Sequence, residues 1–237
     1  MKSSNPQSKA KKIIDSYVSI GRKSILEHDA EKIAQAYGVP VAKSIIATTE
    51  SESIYLMKKL GGPVVMKIVS PDVLHKTDVG GVLVNIRTPS EARAAYRQIR
   101  KNVSTKNKKA KIIGILLQKM VPQGKEFVVG GIRDPQFGPT VMFGLGGIYV
   151  EIFEDVSFRL APVSDNEATA MMNELKSSVL FRGFRGAAPL DTLAASNVIK
   201  RVGQMLLDNE MIQSVDINPL FIYAGGATAT DVRIILK

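Results

Sequence analysis

Apolar positions return along this chain with two periods, one of three to four residues and one of two. The longer period predicts amphipathic helices and the shorter predicts strands. Several helix starts are marked by Ser or Thr followed three residues on by Glu, where hydroxyl and carboxylate each satisfy an unpaired backbone N–H. Ser24 with Glu27 predicts a helix that Gly38 and Pro40 end; Thr49 with Glu52 predicts a second, ending at Gly61-Gly62. Thr88 with Glu91 predicts a third, with Pro89 in its first turn, and Ser164 with Glu167 a fourth running through Met171, Met172 and Leu175. Asp191 caps a fifth, in which Val198, Ile199, Val202, Met205 and Leu206 lie at helical spacing. Strand-like runs lie between and after them: Val64–Val69, Gly81–Ile86, Lys111–Val121, Glu126–Ile132, Thr140–Leu145, Val156–Pro162, Val215–Tyr223 and Ala229–Leu236. Residues 1–20 offer little to bury and read as a flexible lead-in. Strands joined by both helices and tight turns give an α/β or α+β fold with mixed sheets. A soft division near Gln118–Glu126 separates a lobe of residues 21–117 from one of 118–237, with a cleft between them.

Composition narrows the chemistry. The 237 residues include no cysteine and only two histidines, His28 and His75, which excludes disulfides, thiolate metal sites and histidine-rich metal centres. No apolar run approaches the ~20 residues needed to cross a bilayer. The first twelve residues are polar and basic with no apolar stretch behind them, so no secretory signal is expected and the protein reads as cytoplasmic. Lys and Arg number 32 against 22 Asp and Glu, a formal balance of +10. Much of the excess lies in the N-terminal tail and between Arg97 and Lys111. The second stretch has no interleaved aromatics and reads as a helix end and a solvated loop; nucleic-acid contact is the rival reading, and polyphosphate substrates also suit a positive potential.

Several residues stand out as candidates. Lys67 lies inside the apolar run Val64–Val69, and a buried unpaired charge is costly, so it must reach an anion or water; an edge-strand lysine that blocks aggregation is the alternative. The loop from Ser70 to Gly81 ends in Gly80-Gly81, whose N–H groups could approach phosphate oxygens, or which could serve only the turn. His75 sits in that loop beside Lys76; a neutral imidazole is a competent phosphoryl acceptor, though a lone histidine is more often structural. In Val215–Leu220, Asp216 and Asn218 share one strand face. A turn centred on Gly225-Gly226 places Asp231 opposite Leu220 on the same face, giving a hard-oxygen set suited to Mg²⁺; a one-residue shift moves Asp231 away. Gln118, Lys119 and Met120 end a strand whose free backbone groups could meet an adenine, with Glu126 available for ribose hydroxyls. The glycine-rich segment Gly144–Glu151 is neither a Walker A loop nor a dinucleotide fingerprint, and reads as a flexible phosphate-facing or interface loop.

In combination and order, VVMKIVSPDVLHKTDVGGV from Val64, QKMVPQGKEFVVGGIRDPQFGPTVMFGLGGIYVE from Gln118 and VDINPL from Val215 resemble the ATP-grasp β subunits of ADP-forming acetyl-CoA synthetases. The resemblance runs from about Ser24 to Lys237, with succinyl-CoA synthetase β subunits as more distant relatives. It implies an ATP-grasp fold with the nucleotide between two lobes. Lys67 then resembles the lysine that holds nucleotide phosphates, Gly80 and Gly81 the end of the phosphate loop, Gln118, Lys119 and Met120 the adenine hinge, and Glu126 the ribose carboxylate. Asn218 and Asp231 resemble the Mg²⁺ ligands, and Asp216 stands where related enzymes carry a glutamate facing the phosphohistidine. His75 resembles a loop histidine used as a second phosphorylated relay. The implied reaction is acyl-CoA + ADP + phosphate ⇌ acid + CoA + ATP. The implied partner is a CoA-binding α subunit in an α2β2 heterotetramer, because no CoA-binding fingerprint is present. The rival is a regulatory ATP-grasp-like module without transfer activity.

Overall fold

The computed structural model describes residues 6–73, 75–147 and 154–237. The chain forms two compact units, one of Ala42–Pro122 and one of the chain up to Val41 together with Gln123–Lys237.

The smaller unit contains β1 (Ser44–Ala47), α3 (Glu50–Leu60), β2 (Val64–Val69), β3 (Val82–Ile86), α4 (Pro89–Lys106) and β4 (Gly114–Lys119). Its four strands run antiparallel in the order β1-β4-β2-β3. Strand alternation puts Val64, Met66, Ile68, Ile115 and Leu117 on the face covered by α3 and α4, where they meet Leu56, Met57, Tyr96, Ile99 and Val103. Both helices begin with the expected capping boxes, Thr49 with Glu52 and Thr88 with Glu91, and Pro89 opens α4. β1 is four residues long and carries no alternating signal of its own; it is placed by pairing Ser44 to Gln118 through Ala47 to Ile115.

The larger unit contains α1 (Pro6–Ser19), α2 (Glu27–Ala36), β5 (Lys125–Asp134), β6 (Gly138–Leu145), β7 (Val156–Leu160), α5 (Asp165–Glu174), α6 (Val179–Arg182), α7 (Thr192–Asp208), β8 (Ile212–Tyr223), β9 (Gly226–Ala229) and β10 (Val232–Leu236). A turn of 3₁₀ helix, Lys176–Ser178, precedes α6. The sheet runs β10-β8-β5-β6-β7, with β9 also on β8. One face carries Phe127, Val129, Val141, Phe143, Val215 and Ile217 into a core closed by α5 and α7. Phe127 and Phe143 stack with ring centroids 5.3 Å apart, and Phe181 tilts against both.

Four expectations change. The sheets are antiparallel rather than mixed; among the described residues the parallel pairing is the single bridge Val41–Ala229. The lead-in expected over residues 1–20 contains α1, because Ala10, Ile14 and Tyr17 fall on one helical face and are buried, with the Tyr17 hydroxyl donating to Asp29 at 2.8 Å. Ser24 does not cap α2. It bridges Ile235 at the sheet edge, where Ile25 N–H donates to Ile234 O, and the helix starts after Leu26 without a side-chain cap. The same edge pairing draws residues 21–41, expected in the N-terminal lobe, into the larger unit, and the boundary falls after Pro122 rather than after residue 117.

Candidate functional site

In the smaller unit, Lys67 lies on the sheet face away from α3 and α4, in register with Val82 on β3 and Leu116 on β4. It is 7% exposed, and Gln118, on the same face of the neighbouring strand, is 1% exposed. β2 therefore keeps a buried cation beside a buried amide, a combination that is stable only with polar partners.

The loop after β2 is closed at its neck. Ile68 N–H donates to Gly81 O at 2.7 Å, Gly81 N–H to Lys76 O at 2.7 Å and Gly80 N–H to Thr77 O at 2.9 Å. Both glycine amides are thus engaged inside the loop, as glycines that serve the turn would be. The residues are needed for shape. Gly80 has φ +64°, and a Cβ on Gly81 would lie 2.6 Å from Ile68 Cγ2 and 2.9 Å from Lys76 O. His75, on the loop so formed, is exposed, and its imidazole makes no hydrogen bond or ion pair among the described residues. Leu74 lies outside those residues.

At the other end of the face, the amides of the expected hinge are also engaged. Lys119 N–H donates to Lys43 O at 2.8 Å and Met120 N–H to Pro63 O at 3.0 Å. A ligand at this strand end would have to be met by acceptors rather than by these donors.

In the larger unit, alternation along β5 sends Glu126 and Gly130 to the face opposite the core, and register places Gly130 against Asp216 of β8. Asp216 faces Arg233 on its other side. The hairpin register differs by two from the expected one. Leu220 pairs with Ala229, and Asn218 N–H donates to Asp231 O at 3.3 Å, so Asp231 stands opposite Asn218. Asp231 keeps the predicted face because it meets Asn218 itself, next to the core pair Ile217 and Val232, whereas Leu220 and Ala229 turn into the core. Glu126, Asp216, Asn218 and Asp231 thus share one face of one sheet. Asp216 keeps access to solvent, yet the protein atoms around it and the negative charge of Asp231 lift its carboxyl above the ordinary range, with Arg233 acting the other way. Two carboxylates and an amide oxygen form a hard-oxygen set, with Arg233 opposing only part of the negative charge at Asp216, and such a set fits a divalent cation that retains waters. Among the described residues no group of three or more His, Cys, Asp or Glu is arranged to hold a metal.

The glycine-rich segment after β6 passes directly over Glu126. Gly146 N–H donates to Glu126 O at 2.8 Å, and a Cβ on Gly146 would fall 2.8 Å from the Glu126 carbonyl carbon. The glycines are therefore spacing elements for close passage over β5. The rest of that segment, 148–151, lies outside the described residues.

An ATP-grasp domain model matches residues 16–236. The chain belongs to the ATP-grasp family. Within it the chain is 44% identical over 228 residues to the acetate–CoA ligase [ADP-forming] I subunit beta of Pyrococcus furiosus, covering 96% of this chain and 98% of that one. It is 43% identical to the 4-hydroxybutyrate–CoA ligase [ADP-forming] of Nitrosopumilus maritimus, spanning 96% of this chain but 33% of that protein. It also superimposes on the dinucleotide-forming acetyl-coenzyme A synthetase 1 of Ca. Korarchaeum cryptofilum. In complex with coenzyme A and Ca-AMPCP the TM-score is 0.94 at 46% identity, covering 96% of this chain and 100% of that one. In complex with coenzyme A and Mg-AMPPCP, with the phosphohistidine segment pointing towards the nucleotide binding site, it is 0.85 at 43% identity with the same coverage.

This ATP-grasp chain also has residues that the sequence pattern did not single out. Asn102 of α4 donates from Nδ2 to Gly80 O at 2.9 Å, while Gln98 donates to Asn102 Oδ1 at 2.6 Å and so fixes which way the amide faces. Lys106 Nζ donates to Asp78 O, and Lys111 N–H to Asp72 Oδ2 at 2.7 Å. The end of α4 thus holds the His75 loop. No local sequence signal announces this, because the partners lie 22 to 39 residues apart.

Proposed function

We propose that this chain is the nucleotide-binding β subunit of an ADP-forming acyl-CoA synthetase, passing a phosphoryl group between a histidine and ADP. The overall reaction is acyl-CoA + ADP + phosphate ⇌ acid + CoA + ATP. The observation that carries the reading is the His75 loop: an exposed imidazole without a hydrogen-bond or ion-pair partner among the described residues, on a segment closed by its own glycine pair and held by α4. Near-complete coverage of a β subunit of this enzyme class supports it.

In this reading a partner α subunit binds CoA and delivers the phosphoryl group, in an α2β2 assembly in the cytoplasm. His75 accepts that group on a neutral ring nitrogen. The N–P bond then breaks as a β-phosphate oxygen of ADP forms the new O–P bond, and the imidazole leaves with its nitrogen lone pair restored. Lys67 holds the nucleotide phosphates, the loop shaped by Gly80 and Gly81 presents the histidine, and Asp216 is the carboxylate that would meet a phosphohistidine. Gln118, Lys119 and Met120 line the adenine side, where carbonyl oxygens would accept from its amino group, and Glu126 accepts from the ribose hydroxyls. Asn218 and Asp231 would hold Mg²⁺, which when bound offsets the charge on the phosphates.

The test uses His75→Ala with the partner subunit and labelled ATP. The imidazole is exposed and makes no hydrogen bond or ion pair among the described residues, so nucleotide binding and stability should stay unchanged while label transfer and acyl-CoA-dependent ATP synthesis are lost. An unchanged overall rate overturns the relay. Synthesis of ATP from acyl-CoA, ADP and phosphate by this chain alone overturns the division between subunits.

A further inference from the structure

The charge of this chain is not spread evenly. The unit Ala42–Pro122 contains fifteen Lys and Arg against five Asp and Glu, a balance of +10, which is the whole formal charge of the protein. The remaining residues carry seventeen of each sign and are neutral.

Within the unit, the stretch from Arg93 to Lys111 has eight cations and no acid. Three of them are engaged: Arg93 and Arg97 by Glu50 and Lys106 by Asp78 O. Arg100, Lys101, Lys108, Lys109 and Lys111 are exposed and have no side-chain ion pair or hydrogen bond among the described residues, though Arg100 lies over the Tyr96 ring. Five like charges at one helix end repel one another and raise the free energy of the folded unit. They also sit at the place where α4 holds the His75 loop, through Asn102, Lys106 and the Lys111 amide.

We propose that this cationic end of α4 and the following residues to Lys111 form the docking surface for an acidic face of the partner subunit that brings the phosphoryl group to His75. The inference rests on the two-subunit reading above and adds where the partner lands. A free nucleotide does not explain the surface, because Arg93 to Lys106 alone spans about 20 Å of helix axis. Single-stranded nucleic acid is disfavoured because stacking platforms are missing. The one aromatic on α4, Tyr96, is 6% exposed, and its hydroxyl donates to Thr48 O at 2.7 Å. An acidic protein surface needs only complementary potential, which acts mainly on the association rate.

The test compares the full wild-type chain with Lys101→Gln/Lys108→Gln/Lys109→Gln/Lys111→Gln, a variant that removes four side chains without described partners. Association with the CoA-binding subunit is followed at 50 and 300 mM salt, alongside calorimetry with ADP and thermal melting. The variant should associate about tenfold more slowly at low salt and lose most of the wild-type salt dependence. ADP affinity should stay within about twofold and melting should be unchanged. Equal rates and salt slopes for the two proteins overturn the surface while leaving the two-subunit reading intact. An equal loss of ADP affinity overturns it in favour of a general field. Binding of a DNA duplex that the substitutions abolish, with partner association unchanged, overturns it in favour of nucleic acid. If the wild type forms no complex, the two-subunit reading itself fails and the surface with it.

Discussion

Gly81→Ala isolates the geometry that shapes the His75 loop. A Cβ at this position would lie 2.6 Å from Ile68 Cγ2 and 2.9 Å from Lys76 O, where carbon contacts ordinarily settle near ~3.5–4.0 Å. Roughly 1 Å of relief is therefore needed on two sides. Ile68 is fully buried under α3 and α4, so it cannot yield without disturbing the core. Lys76 O is backbone, and it accepts from the Gly81 amide itself. The loop neck should open instead, adding the loss of a hydrogen bond of about 1 kcal/mol to an overpacking cost of about 1–3 kcal/mol. Gly80→Ala is the matched control. It meets the Asn102 side chain, at 2.7 Å from Nδ2 and 3.2 Å from Cγ, which can swing aside by giving up a part-buried hydrogen bond that water can replace, so its main cost is the left-handed backbone at φ +64°, about 1–2 kcal/mol. Urea denaturation followed by circular dichroism should rank Gly81→Ala as the more destabilised, by about 2–4 kcal/mol from wild type, and label transfer through His75 should fall in step. If Gly81→Ala loses less than about 0.5 kcal/mol, or no more than Gly80→Ala, the neck is not the constraint described here.

Two further perturbations address the sheet faces. Lys67→Ala should weaken ADP binding by about tenfold to a hundredfold, since a charge-assisted hydrogen bond contributes about 1.5–3 kcal/mol; equal calorimetric affinities would remove Lys67 from the phosphate site. The Asp216 carboxyl is raised in the folded chain, so its stabilising proton is held below the ordinary Asp range and lost as pH rises through the raised value. Asp216→Asn should therefore match wild-type stability below the ordinary Asp range and exceed it at pH 7 in metal-free buffer, and a stability difference that does not vary with pH would refute the raised carboxyl, whose first cause is burial and second the charge of Asp231.

What could be read from the sequence was local. The capping boxes at Thr49, Thr88 and Ser164 and the Asp191 cap formed as expected, because each joins groups within one turn of helix. Asp216 and Asn218 share a face as strand alternation expects, but Asp231 joins them by meeting Asn218, while Leu220, its expected partner, turns into the core. Ser24 with Glu27 has the same local pattern as the true caps, but pairing with Ile235, more than two hundred residues away, gives Ser24 a different partner. Tertiary structure alone decided where the amides of Gly80, Gly81, Lys119 and Met120 point, that Asn102 holds the His75 loop, and that residues 21–41 join the larger unit. Each of these depends on which distant segment supplies a hydrogen-bond partner or a packing surface, and spacing within a short window carries no record of that choice.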